Sequence, residues 1–130
     1  MVIRVVRLGS PRAADEGTRL GTVRRPPRGV PKAEFATQDW YDAWLPNLAP
    51  SVETMKLGQQ ADTPAAWAAF ARAYRREMAV PEADHLLRAL AALSHRANFS
   101  VGCYCEDESR CHRSLLRALL VDKGADVDPG

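Results

Sequence analysis

No stretch of this sequence approaches the roughly 18 uninterrupted apolar residues of a membrane-spanning helix. Only three cysteines and three histidines occur among 130 residues. The first shortage excludes a helical membrane protein. The second excludes the dense disulfide framework of a small extracellular domain, because an odd number crowded between Cys103 and Cys111 cannot pair across a fold. Neither charge dominates, with a formal net charge of +2, and no internal repeat or low-complexity segment is present. Met1 to Leu8 interrupts its Val and Ile with Arg4 and Arg7, so it lacks the continuous apolar centre of a secretory signal. A soluble, cytoplasmic protein in a reducing compartment is expected, with no membrane association.

What is present is ordinary globular composition, 46% hydrophobic and 26% charged. A chain of this size buries roughly 68% of the surface its unfolded form exposes, enough for a core without staples. One domain over residues 1–125 is expected, with a frayed tail at 126–130. Charge is uneven: residues 1–32 hold eight Lys or Arg against Asp15 and Glu16, a local +6, and residues 33–130 hold ten against fourteen, a local −4. That asymmetry points to an anion-facing edge rather than a general nucleic-acid binder.

The β-branched stretch Met1 to Leu8 predicts a strand, closed by Gly9, Ser10 and Pro11. A weaker alternation over Thr18 to Arg24 predicts a second, and Arg25 to Lys32, with three prolines, an extended basic loop. Between Thr37 and Leu48, Trp40, Tyr41, Trp44, Leu45 and Leu48 have the spacing of a short helix until Pro46 intervenes. Ser51 is placed to cap a helix with Glu53 in its first turn. Thr63-Pro64 and Pro81 each open a firmer helix, striped by Trp67, Phe70, Tyr74 and Met78 and by Leu86, Leu87, Leu90 and Leu93, the second ending at Asn98. Phe99 to Cys105 predicts a strand, and about Arg110 to Lys123 a last helix with Ser109 as cap and Gly124 beyond its end. Strands at both ends with helices between imply an α/β domain, its sheet mostly parallel or mixed with helices on both faces, Rossmann-like.

Chemistry concentrates in Cys103-Tyr104-Cys105-Glu106-Asp107-Glu108-Ser109-Arg110-Cys111-His112-Arg113-Ser114. It spans a strand end, an acidic turn and a helix start, the place where ligands bind in open α/β sheets. Four readings fit. Cys111 or Cys105 is a nucleophilic thiolate with His112 as proton carrier and Arg113 holding an anion. Cys105 and Cys111 form a reversible disulfide. Cys103, Cys105, Cys111 and His112 bind zinc in a scaffold, although C-x-C-x5-C-H matches no standard structural spacing. Or the cysteines are small core hydrophobes. Arg24, Arg25 and Arg28, with Gly29 allowing close approach, form a second candidate, because proline-stiffened guanidinium forks suit phosphate or carboxylate. A solvated loop is the plainer alternative. Trp40, Tyr41 and Trp44 fit either a base-stacking pocket or core, and His85 and His95 have no partner spacing.

Arg19-Leu-Gly-Thr-Val-Arg24, Pro27-Arg28-Gly29-Val30-Pro-Lys32, Trp44-Leu-Pro-Asn-Leu48-Ala49-Pro50-Ser51, the run Trp67, Phe70, Tyr74, Glu77, and Gly102-Cys-Tyr-Cys-Glu106 to Cys111-His112-Arg113-Ser114 follow one another over nearly the whole chain. In that order they resemble the YeaO-like family, domain of unknown function 488. Where the YeaO-like branch usually reads Asp-Arg-x-Trp-Pro-Arg-Gly, Val23 to Gly29 lacks the Asp and the Trp. The Cys-His-Arg run is typical of other branches, so the chain resembles a separate subgroup. The resemblance implies a compact α/β domain of bacterial type without a settled activity, and adds weight to Arg24, Arg28, Pro50, Ser51, Cys111, His112 and Arg113.

The expected site is thus an anion-accepting cleft beyond the Cys103–Cys105 strand. Cys111, Cys105 and His112 carry its chemistry, and Arg113, Ser114, Arg24, Arg28, Gly29 and Ser51 bind a phosphate-bearing small molecule or nucleotide. No cofactor is called for. The rival is a non-enzymatic module binding nucleic acid or protein through its basic amino-terminal face. Nothing in the pattern fixes an oligomeric state.

Overall fold

In the computed structural model, which describes residues 1–130, four strands form one sheet in the order β1-β4-β2-β3. These are β1 (Ile3–Arg7), β2 (Thr18–Gly21), β3 (Ala43–Trp44) and β4 (Phe99–Cys103). All pairings are parallel. β4 lies between β1 and β2 with every residue buried, as a central parallel strand must. Arg4 and Arg19 flank Ser100, and Val5 and Leu20 flank Val101. Because side chains alternate across a strand, Ile3, Val5, Leu20, Phe99 and Val101 share one face, and Arg4, Arg19, Ser100 and Gly102 the other.

The apolar face gathers the helices α1 (Val52–Gln59), α2 (Pro64–Met78), α3 (Pro81–Leu93) and α4 (His112–Asp122). Phe70 and Tyr74 of α2, Leu87 and Leu90 of α3, and Leu116 and Leu120 of α4 join Ile3, Phe99 and Val101 in one core. Each such side chain contributes about 1.5–3 kcal/mol by leaving water. The caps are those the sequence predicts: Ser51 Oγ accepts from the Thr54 N–H, and Thr63 Oγ from the Ala66 N–H with Pro64 in the first turn.

Loops, not helices, cover the opposite face. Arg19 is fully buried there, paired through two hydrogen bonds with Glu16 at 2.7 and 3.0 Å. Its remaining donors reach the carbonyls of Ser10 and Asp39, and Ser100 Oγ donates to Glu16 at 2.6 Å. A guanidinium in a sheet face needs free carbonyls around it, which loop backbone offers and helix backbone, with its carbonyls already bonded, does not. The Tyr41 ring closes this layer over Gly21, where an added Cβ would sit 2.2 Å from Tyr41 Cδ2.

Several boundaries differ from the sequence expectation. Residues 37–48 form no helix: Asp39 turns left-handed (φ 61°), its neighbours lead into β3, and Pro46–Leu48 is a 3-10 turn. β2 ends at Gly21, and α3 ends at Leu93. Ser109 does not cap α4. It sits in a 3-10 turn, Glu108–Arg110, whose own cap is Asp107, and Cys111 in extended backbone precedes His112, the first helical residue. The expected fraying of 126–130 does not extend to the start of that segment. Ile3 donates to the Asp126 carbonyl, Asp128 N–H returns to Ile3, and Val127 bridges Ile3 beside β1.

Candidate functional site

At the carboxyl end of β4 the chain passes Cys103, Tyr104 and Cys105, makes the acidic turn, and enters α4 through Cys111 and His112. Cys103, Cys111 and His112 are all buried, and their Sγ and ring nitrogen atoms lie within 4.8 Å of one another. Cys105 is the one exposed thiol of the three. His112 Nε2 donates to the Thr22 carbonyl at 2.8 Å, which fixes the tautomer: Nδ1 keeps its lone pair, facing Cys111 Sγ at 3.7 Å. Burial holds the imidazole below its ordinary range and outweighs the opposing bond to Thr22, so the ring is neutral.

The sulfurs are not equivalent. Hydrogen bonds to Cys105 and Cys111, then burial, push the Cys103 thiol far up. Cys111 is drawn down by Cys103 but raised more by Cys105 and burial together, to about 11. Cys105, accepting from Cys103 and Cys111 against the cost of burial and helped by the fields of His112 and Arg113, is held well below the ordinary thiol range. Of the three sulfurs, the exposed one is the one whose ionisation the surroundings favour.

Arg113 supplies the counter-charge. Its side chain is 3% exposed. Nη2 donates to the Cys105 carbonyl at 2.6 Å, and Nε is buried without a partner. No carboxylate pairs with it, because the three acids of the turn are engaged elsewhere: Glu106 with Arg7, Asp107 with the Ser109 N–H and hydroxyl, and Glu108 with Arg117 through two hydrogen bonds. Each acid of the turn thus has another partner, while the field of Arg113 still reaches Asp107 and Glu108.

Beside this cluster, at the ends of β1 and β4, opens a cleft of about 460 Å³ lined by Arg7, Leu8, Gly9, Ser10, Pro27, Arg28, Trp40 and Tyr104. Tyr104 alternates to the face opposite Cys103 and Cys105, stacks edge-on against Trp40 at 5.8 Å between centroids, and donates its hydroxyl to the Arg25 carbonyl at 2.9 Å. That bond fastens the proline-stiffened loop and leaves the Arg28 side chain exposed at the cleft mouth.

The structure brings together Cys103, Cys111 and His112, sets Arg113 on the Cys105 carbonyl, and separately places Arg28 in the cleft; none of the thiols lines it. Arg24 is spent on the carbonyls of Pro46, Ala49 and Pro50. Ser51 caps α1 and binds the Glu77 carboxylate, and Ser114 Oγ donates to the Cys111 carbonyl. Gly29 takes a left-handed turn at the surface (φ 74°) with nothing near it. Trp44 is a surface residue whose Nε1 donates to the Val23 carbonyl, and Tyr41 is core. Sequence reasoning missed Arg7 and Tyr104 as cleft residues. Their place at the carboxyl ends of neighbouring parallel strands was the available signal.

The local +6 of residues 1–32 forms no open basic face. Arg4, Arg7, Arg12 and Arg19 face carboxylates and Arg24 carbonyls, which leaves Arg25, Arg28 and Lys32. No helix is long and apolar enough to cross a membrane.

No curated protein and no solved structure matches the chain. A family model described as the active DUF488-N3 subclade, DUF488-N3a, matches residues 3–124. With a parallel α/β sheet and a Cys-His cluster at its end, and with that match over almost its whole length, the chain belongs to the DUF488 family.

Proposed function

We propose that this chain is a thiol-dependent cytosolic protein acting on an anionic ligand, phosphate-bearing or nucleotide-like, with Cys105 as the reactive sulfur. The observation that carries the reading is the buried Arg113 guanidinium, which has no carboxylate partner and is fastened to the Cys105 carbonyl. A buried cation is stabilised by nearby negative charge, and a thiolate on Cys105, whose carbonyl Arg113 holds, supplies it in this reading. Cys111, which shared the nucleophile's role in the sequence reading, is 3% exposed and serves here as a thiol donor. The Cys105 lone pair forms a bond to an electrophilic atom of the ligand, whose leaving group departs with the broken bond's electron pair.

The cleft supports the ligand class. Arg28 offers a guanidinium fork to a phosphate, and Trp40 with Tyr104 offers aromatic surface to a planar group. Three free thiols suit a reducing compartment. The test is alkylation of the reduced protein by iodoacetamide, mapped by peptide mass. Cys105 is expected to react first and faster than free cysteine at neutral pH, and Cys105→Ser to remove that phase. Alkylation no faster than that of free cysteine overturns the reading.

A further inference from the structure

The same cluster has the shape of a soft-metal site. A tetrahedral zinc ion with Zn–S near 2.3 Å and Zn–N near 2.0–2.1 Å requires its ligands to sit about 3.6 Å (N to S) and about 3.8 Å (S to S) apart. Cys111 Sγ and His112 Nδ1 are 3.7 Å apart, and Cys103 Sγ lies with both inside 4.8 Å. The geometry points to a zinc ion held by Cys103, Cys111 and His112 Nδ1, and the proposal adds exposed Cys105, two residues past Cys103, as the fourth and exchangeable ligand.

Three further observations support it. His112 already makes the outer contact that metal-bound histidines make: the far nitrogen donates to a backbone carbonyl, Thr22, and orients Nδ1 inward. The donor set is sulfur and nitrogen without a carboxylate, which selects zinc and softer ions over magnesium or calcium. Charge also closes. Three thiolates, one neutral imidazole and Zn²⁺ sum to −1, and the buried Arg113 beside Cys105 supplies +1. The inference rests on the thiol reading only in sharing Cys105. Binding converts ligand thiols to thiolates and so releases protons. The bound ion also leaves Cys105 a thiolate at the surface, so metal and sulfur chemistry share one position.

The test is calorimetric titration of Zn²⁺ into reduced, chelator-treated protein in two buffers of different ionisation enthalpy, with Co²⁺ as a spectroscopic probe. Expected are one ion per chain, release of protons on binding, and visible cobalt bands of tetrahedral intensity with a thiolate charge-transfer band. Cys105→Ser, a change at an exposed position that leaves the core intact, is expected to weaken binding by more than the roughly 10–100-fold typical of losing an outer partner, and to reduce the charge-transfer band. His112→Gln, checked for folding by circular dichroism, is expected to weaken binding likewise. If the protein binds no zinc while Cys105 alkylates rapidly, the metal site is overturned and the thiol reading stands. Zinc bound with unchanged affinity in Cys105→Ser and His112→Gln, or bound without proton release, also overturns it. Zinc bound with the stated losses supports it whatever the alkylation rate.

Discussion

His112 Nε2 stands 2.8 Å from the carbonyl oxygen of Thr22, a residue 90 positions earlier in the chain. That one bond joins the segment after β2 to the start of α4 and decides which nitrogen faces the sulfurs. Since burial depresses the imidazole, the unfolded chain binds more protons than the folded one below the ordinary histidine value of about 6.5. The contribution is complete above that value and declines as pH falls below it. Nitrogen-15 spectra are expected to show His112 as the Nε2–H tautomer at neutral pH. A protonated His112 at that pH contradicts the assignment.

Breaking the Arg19–Glu16 pair has a large expected cost. Either partner alone would be a buried, uncompensated charge, so Glu16→Gln or Arg19→Met is expected to lose about 3–5 kcal/mol in urea unfolding. The same pair sets acid behaviour. Burial opposes ionisation of Glu16, but the bonds from Arg19, Ser100 and the Ala13 backbone overcome it and hold its carboxyl at about 2. Its stabilisation is therefore complete above the unfolded glutamate value, about 4.3, and is lost as pH falls toward about 2. Wild type and Glu16→Gln are expected to converge in stability at low pH, and a constant gap contradicts this.

Gly21 is held small by the Tyr41 ring, so Gly21→Ala is expected to destabilise by about 1–3 kcal/mol through overpacking. The double variant Gly21→Ala, Tyr41→Leu is expected to recover part of that loss. Additive effects contradict the contact.

Arg28 has no partner in the protein, and its removal should leave the fold untouched. Arg28→Ala is expected to weaken binding of inorganic phosphate or a nucleotide by roughly tenfold or more, the worth of one charge-assisted hydrogen bond of about 1.5–3 kcal/mol. Thermal stability should change little. Equal affinity in the two proteins places the anion elsewhere.

The parallel α/β sheet and three of the four helix starts are legible in the residues because local signals decide them: β-branched runs, and Ser51, Thr63-Pro64 and Pro81 at helix starts. The helical spacing of Trp40, Tyr41 and Trp44 misleads because a tertiary demand overrides it. Asp42 accepts the Arg19 backbone N–H at 2.7 Å and pairs with Arg12, pulling the segment into an extended path along β2. The start of α4 shifts because Asp107 captures Ser109, a side-chain choice that spacing does not reveal. Cys105, Cys111, His112 and Arg113 are found as a group because they are close in the chain. Arg7 and Tyr104 are not, because the parallel register of β1 against β4 alone brings them together.

The central claim is that the negative charge balancing Arg113 resides on Cys105. Stopped-flow alkylation of reduced, metal-free protein at pH 6, with the adduct located by mass, tests it most directly. The account predicts a single fast adduct on Cys105, slowed severalfold in Arg113→Gln with circular dichroism unchanged. First labelling at Cys103 or Cys111, or a Cys105 rate equal to that of free cysteine in both proteins, would contradict it.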